Sequence, residues 1–260
     1  LKTLPGVVSN NELSSTYSVR GGSFDENIIY VNDIEIYRPF LVRSGQQEGL
    51  SFINPDLVSE INFSAGGFSA MYGDKMSSVL DIKYRTPKKF AGSAYASLQG
   101  AGLHLEGASK NEKFTWLTGI RHRSNQFVLK TLDTQGEYKP RFTDLQTILN
   151  FKLSKKTDVS LLGHYSLNQF NVIPSSRQTE FGSINEALRF TVFFDGQEID
   201  EFLTSTGALS INHQVNDSLK LKFIVSSFFS REREFFDVLG QYFLDELERD
   251  LGSDDFGDVA

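Results

Sequence analysis

Cysteine is absent from this 260-residue chain, so neither a disulfide framework nor a thiolate metal site can be built into it. No apolar run approaches the roughly 18 residues that a membrane-crossing helix needs, which excludes helical spans. Basic clusters are missing as well. With 26 Lys and Arg against 33 Asp and Glu, a net charge of -7, the chain concentrates no Lys and Arg in one stretch of sequence as a nucleic-acid binder does, and nucleic acid is set aside as a partner. Catalytic signatures are equally lacking. His104, His122, His164 and His213 fall on expected strands with no paired Ser, Cys or carboxylate motif, and Gly-X-Ser-X-Gly, His-Glu-X-X-His and the P-loop pattern do not occur. Asp250, Asp254, Asp255 and Asp258 lack the oxygen-ligand spacing of an EF-hand loop. No enzyme, cofactor or metal site is expected.

The residues in good supply point one way. Phe (23), Tyr (9) and Gly (21) against Pro (6) and Met (2) favour strands and tight turns, while an apolar share of 39% is low for a packed core of this length. The fold class expected is mainly β. Residues 1–87 read as a small mixed segment. Asn27 to Ile36 alternates around Ile28, Tyr30, Ile34 and Ile36, with Asn32-Asp33 at a tight hairpin turn. Asn54-Pro55-Asp56-Leu57-Val58 can open a short helix leading into a strand at 60–64, which Gly66-Gly67 ends, and 79–84 is a further strand.

Residues 88–260 are different. Leu145, Leu149, Phe151 and Leu153 share one parity, and Asp144, Gln146, Asn150 and Lys152 the other. The same split sets Val159, Leu161, Tyr165 and Leu167 against Ser160, His164, Ser166 and Asn168, and Leu219, Leu221, Phe223 and Val225 against Lys220, Lys222 and Ser226. A β-sandwich would also show one apolar face. The connections favour a membrane barrel, because short polar links at 110–113, 154–158 and 216–218 alternate with long ones at 125–141 and 170–202. Phe114, Trp116, Phe127, Phe142 and Phe170 near strand ends suit an interfacial girdle. Seven strands are counted, near 92–99, 103–109, 114–125, 142–153, 158–169, 204–215 and 219–230. Bacterial single-chain barrels have even strand numbers, and 245–260 is acidic without alternation, so a chain cut from a longer one is expected. The opening Leu1 to Gly6 lacks the charged start and apolar stretch of a signal peptide.

Over nearly all of residues 4–85 the chain resembles the plug domain of TonB-dependent outer-membrane receptors, in particular the subgroup common in Bacteroidetes. The motifs, in order, are Leu4-Pro5-Gly6-Val7, Tyr17-Ser18-Val19-Arg20-Gly21-Gly22-Ser23, Asn27-Ile28-Ile29-Tyr30-Val31 and Ile36-Tyr37-Arg38-Pro39. They continue as Phe52-Ile53-Asn54-Pro55-Asp56, Ser64-Ala65-Gly66-Gly67-Phe68, Met71-Tyr72-Gly73-Asp74 and Ser77-Ser78-Val79-Leu80-Asp81-Ile82. Asn32-Asp33 and Gly73-Asp74 replace the family's Asp-Gly and Gly-Gly, substitutions that keep positive φ accessible. The ending after Met76 looks less like the SusC glycan importers.

The resemblance implies a plug at 1–87 and, at 88–260, about the first seven strands of a transmembrane β-barrel. It implies location in the cell outer membrane among its lipids, coupling to TonB through a segment absent here, and import of a small-molecule, glycan or peptide ligand. A surface lipoprotein partner is possible and not implied. The alternative is a receptor-like barrel component of an export, assembly or signalling complex. The same comparison nominates Phe24, Asp25, Tyr37, Arg38, Phe40 and Arg43 in two outward plug loops as ligand contacts, with a plain solvated loop as the alternative. Arg20 either locks the plug to the barrel or pairs within the plug.

Overall fold

The computed structural model describes residues 1, 3–9, 15–39, 51–74, 76–124, 126, 136–183, 186–248, 257 and 259. The chain forms two compact units. The first comprises 1–124, 140–169 and 201–232, and the second 125–139, 170–200 and 233–260.

Two kinds of sheet meet inside the first unit. A four-stranded sheet contains β3 (Asn27–Val31), β4 (Ile34–Glu35), β5 (Val58–Ser64) and β6 (Ser78–Tyr84), in the order β4-β3-β6-β5. β3 runs parallel to β6, with Asn27 opposite Ser78 and Val31 opposite Ile82. The turn between β3 and β4 places Asn32 and Asp33 at φ 51° and 65°, the left-handed pair that a two-residue hairpin requires. Asn54 caps a single 3-10 turn, Pro55–Leu57, by accepting the Asp56 N–H at 3.1 Å, and this turn delivers the chain into β5. Gly66 and Gly67, at φ 83° and 65°, follow β5 as expected. A small ladder, β1 (Val7–Val8) on β2 (Ser18–Val19), lies outside this sheet.

The second sheet is an antiparallel meander. β7 (Ala91–Ser97), β8 (Gly100–Ala108), β9 (Phe114–Ser124), β10 (Gly136–Lys152) and β11 (Thr157–Pro174) neighbour one another in order. β13 (Glu186–Asn216) follows β11, β14 (Leu219–Glu246) pairs with β13, and the short β12 (Arg177–Ser183) pairs with the beginning of β13. The mainly β class holds, as do the turns near 110–113, 154–158 and 216–218. Two expectations are corrected. The segment 170–202 is not a long loop: β11 runs on to Pro174, a hairpin of β12 and β13 follows, and β13 extends unbroken to Asn216. β14 likewise continues to Glu246. The seven strands counted from the sequence are β7 to β11, β13 and β14, and among the described residues the sheet adds only the short β12, which pairs with the beginning of β13.

Burial in this sheet is inverted relative to a water-soluble protein. Leu145, Leu161 and Tyr165 are 42%, 40% and 47% exposed, whereas Gln146, His164 and Asn168 are 2%, 3% and 0%. In water the apolar parity would be the one covered. Here the polar parity faces the four-stranded sheet and the apolar parity faces outward, with no second sheet over it among the described residues. That is the arrangement of a barrel wall with lipid outside and a polar filling inside. Of the aromatics expected in an outward girdle, Phe142 and Phe170 are fully buried, so they are not part of it, and Phe127 lies outside the described residues. Phe114 and Trp116 are partly exposed.

The two sheets share one apolar cluster. Ile29, Val31, Ile34, Ile36, Phe52, Leu57, Leu80, Ile82 and Tyr84 of the four-stranded sheet and its loops gather with Leu117, Ile148, Leu162 and Ala208 of the wall.

Candidate functional site

The segment Ser51 to Ile53 presents its backbone carbonyls to the wall, and the wall supplies the donors. Arg121 on β9 forms a two-pronged ion pair with Asp144 on β10, Nε to Oδ1 and Nη2 to Oδ2 both at 2.7 Å. Register explains the meeting, since Arg121 and Asp144 are directly opposite in the β9/β10 ladder. Two of the three remaining guanidinium hydrogens are donated to the carbonyls of Ile53 (2.8 Å) and Ser51 (3.1 Å). One residue pair along, Gln146 donates to the Phe52 carbonyl, and its Oε1 accepts from the Tyr84 hydroxyl at 2.8 Å. That hydroxyl in turn accepts the Asn54 N–H at 3.2 Å. Burial pushes the Tyr84 phenol far above its ordinary range, so it remains a neutral donor to Gln146.

A buried guanidinium needs its carboxylate and acceptors for its other hydrogens, and this seam supplies the carboxylate and two carbonyls. Between the polar contacts sits the Phe52 ring, 4.5 Å from the His164 ring on β11. Neither ring nitrogen of His164 has a hydrogen-bond partner among the described residues, so His164 serves as a flat surface for Phe52. Gly119 on β9 lets the 3-10 turn approach: a Cβ there would lie 2.5 Å from Asn54 Nδ2 and 3.1 Å from a Leu57 methyl. Register makes the seam, and composition alone could not have located it. The signal that was available was the inward parity of Asp144 and Gln146.

Further contacts tie the same plug to β14. Lys222 pairs with Asp33 in the hairpin turn, and Lys83 reaches the other oxygen of that carboxylate. Tyr37 packs edge-on against Phe228 at 5.2 Å, and Arg38 pairs with Glu232. Of the nominated residues, Tyr37 and Arg38 therefore lie together beside β14. Phe24 and Asp25 form a separate 3-10 turn ahead of β3. Phe40 and Arg43 lie outside the described residues. Arg20, at φ 49°, donates its backbone N–H to Gly6 at 2.8 Å, and its guanidinium runs along Gly66.

Residues 1–79 match the TonB-dependent Receptor Plug Domain family. By fold, the whole chain is similar to the copper transporter OprC, with a TM-score of 0.50 at 12% identity, over 100% of this chain and 45% of that one. A variant of the ferric enterobactin receptor PfeA from Pseudomonas aeruginosa aligns at a TM-score of 0.48 and 14% identity, over 94% and 46% of the two chains. The siderophore receptor PirA from Acinetobacter baumannii gives 0.48 and 12%, over 89% and 45%. The chain thus spans less than half the length of these solved structures. No curated protein matches it. Residues 1–79 are thus similar to a plug domain, and the chain has the fold of a plug followed by barrel strands.

Proposed function

We propose that the chain is part of a TonB-dependent receptor of the outer membrane that imports a scarce nutrient through energy-coupled movement of its plug. In this reading residues 1–87 are the plug and 88–260 the first part of the barrel. The motif run from Leu4 to Ile82 favours the Bacteroidetes type, outside the glycan importers. Supporting the reading above all is the inverted wall: apolar side chains out, polar side chains in, and a folded plug bonded to the polar side.

The seam suits a plug that must be held and yet moved. Backbone carbonyls at 51–53 are gripped by hydrogen bonds that water can replace, each worth about 1 kcal/mol net when water is available. A pull on the plug that admits water would loosen these contacts in sequence. Phe24, Asp25, Tyr37, Arg38, Phe40 and Arg43 are the residues proposed to meet ligand from the outer side, where aromatic and cationic groups suit a sugar, peptide or anionic chelate. Arg20 either locks the plug to the barrel or pairs within the plug, and its neighbours Gly6 and Gly66 favour the second role.

The experiment is fractionation followed by uptake. The intact protein is expected in the outer-membrane fraction, extracted only by detergent, and cells lacking it should fail to grow on one limiting nutrient in a manner reproduced by loss of TonB. Recovery in aqueous extract would overturn the barrel, and uptake indifferent to TonB would overturn the coupling.

A further inference from the structure

The charge of the chain is distributed unevenly. The second compact unit carries 16 Asp and Glu against 6 Lys and Arg, so it is strongly acidic. The short-turn margin of the wall, within the first unit, is the reverse. Lys88 and Lys89 lead into β7, Lys110 and Lys113 occupy the β8/β9 turn, and Lys155 and Lys156 the β10/β11 turn. All six are exposed, and among the described residues none is paired with a carboxylate. Lys156 donates to the Val215 carbonyl at 3.3 Å, which holds it across to the neighbouring turn.

Beside these lysines the outward face ends in aromatic rings. Phe90, 73% exposed, lies 6.3 Å from Trp116, and Phe114 lies 4.9 Å from Phe151. Trp116 is seated over Gly107, where a Cβ would come within 2.6 Å of its Nε1. Aromatic rings of this kind mark the level where acyl chains give way to headgroups. Lysines just beyond that level extend their ammonium groups into the headgroup layer.

We propose that this lysine margin binds the phosphate-bearing headgroups of anionic phospholipids in the leaflet that the short turns reach. The inference rests on the barrel reading above and on two features independent of transport: the continuity of the lysines with the lipid-facing rings, and the complementarity of charge. A membrane is favoured over a soluble acidic partner because the cations beside β7 and in the β8/β9 and β10/β11 turns adjoin the rim of the apolar band and outnumber the acidic Glu112 and Asp217 of the same margin.

The test uses the intact protein in nanodiscs of phosphatidylethanolamine with or without phosphatidylglycerol, the retained lipid being read by native mass spectrometry. Wild type should retain phosphatidylglycerol preferentially, and the preference should fade with rising salt. Lys110→Gln, Lys113→Gln, Lys155→Gln and Lys156→Gln combined should lower it about tenfold or more, while the four Lys→Arg changes should preserve it. Equal retention of the two lipids by wild type, or an unchanged preference in the Gln variant, overturns the proposal. So does complete displacement of the lipid by inorganic phosphate, which would mark a free-anion site. Substitutions that leave lipid untouched but abolish copurification of an acidic protein would overturn it in favour of a protein dock. Should the protein prove soluble, the barrel reading fails too; membrane insertion without lipid preference sinks this inference alone.

Discussion

The plug sheet and the wall bury different mixtures of side chain. In β6 the covered residues are Val79, Leu80, Ile82 and Tyr84 beside Ser78 and Asp81, and in β3 Ile28, Ile29 and Val31 beside Asn27. In β11 polar side chains take the larger share: His164, Ser166 and Asn168 are covered between Leu162 and Phe170, while Tyr165 is left exposed. Both are β-sheets of one chain, so backbone preference cannot account for the difference. The plug is ordered by the expulsion of apolar surface from water. The wall turns its hydrogen-bonding side chains inward, Arg121, Asp144 and Gln146 among them, and on the proposed reading its outward face meets lipid in place of water.

The sharpest way to break this comparison is at the seam, where the wall's polar face holds the plug. Arg121→Met would leave the Asp144 carboxylate buried without its partner, and a loss of about 3–5 kcal/mol in plug stability is expected. Chemical unfolding of the detergent-solubilised protein, with hydrogen exchange at the amides of residues 51–54, measures it. Adding Asp144→Leu should recover much of that loss, because a paired apolar replacement strands no charge. A single substitution costing under about 1 kcal/mol would show that the plug is held by its apolar contacts instead.

The outward face gives the next largest effect. Leu161→Arg should cost about 2–4 kcal/mol when folding is measured in lipid bilayers, as a cation near the midplane does. In a soluble protein the same change at a 40%-exposed position would be nearly free. Unchanged folding in lipid, with improved yield in detergent-free buffer, would remove the bilayer from the picture.

The hairpin turn, the glycine stop after β5 and the parity of 142–169 were legible because each depends on neighbours in sequence. The strands beyond the apolar band were not. In 177–183 the residues Gln178, Thr179 and Glu180 show no apolar parity, yet Arg177 to Ser183 pair with Val192 to Glu186 as a regular ladder. Backbone hydrogen bonds hold such a hairpin whatever its side chains, so periodicity could not distinguish it from a loop. Phe142 and Phe170 were misplaced for a related reason: their position near strand ends was read without their parity. The seam needed still more, since the meeting of Arg121 and Asp144 follows from pairing between strands.

Two glycines of the wall offer a finer contrast. Gly119→Ala should destabilise by about 1–3 kcal/mol, because the new methyl meets Asn54 and Leu57 of the plug. Gly163 has nothing within 4 Å of a built Cβ, so Gly163→Ala should be close to neutral in the same thermal-melting assay. Equal effects at both sites would mean that strand propensity, not plug approach, sets the cost.

The smallest effect should be the most specific in pH. Burial alone would raise the Asp33 carboxyl, but hydrogen bonds and charge from Lys222 and Lys83 outweigh it and hold the group below its ordinary value of 3.8. A depressed folded-state value adds stability that is present above the unfolded value and is lost as the pH falls through the folded one. Because Asp33 is more than one-third exposed, solvent screening limits the contribution to about 1 kcal/mol or less. Asp33→Asn keeps a residue that tolerates φ 65°, so it removes charge while sparing the turn. The variant should therefore be slightly less stable than wild type at neutral pH, with the gap closing as the pH drops below about 3.8. Repeating the titration in a Lys222→Gln background separates the wall from the plug: a smaller gap there assigns the difference to the bond across the interface, and an unchanged gap assigns it to Lys83 within the plug.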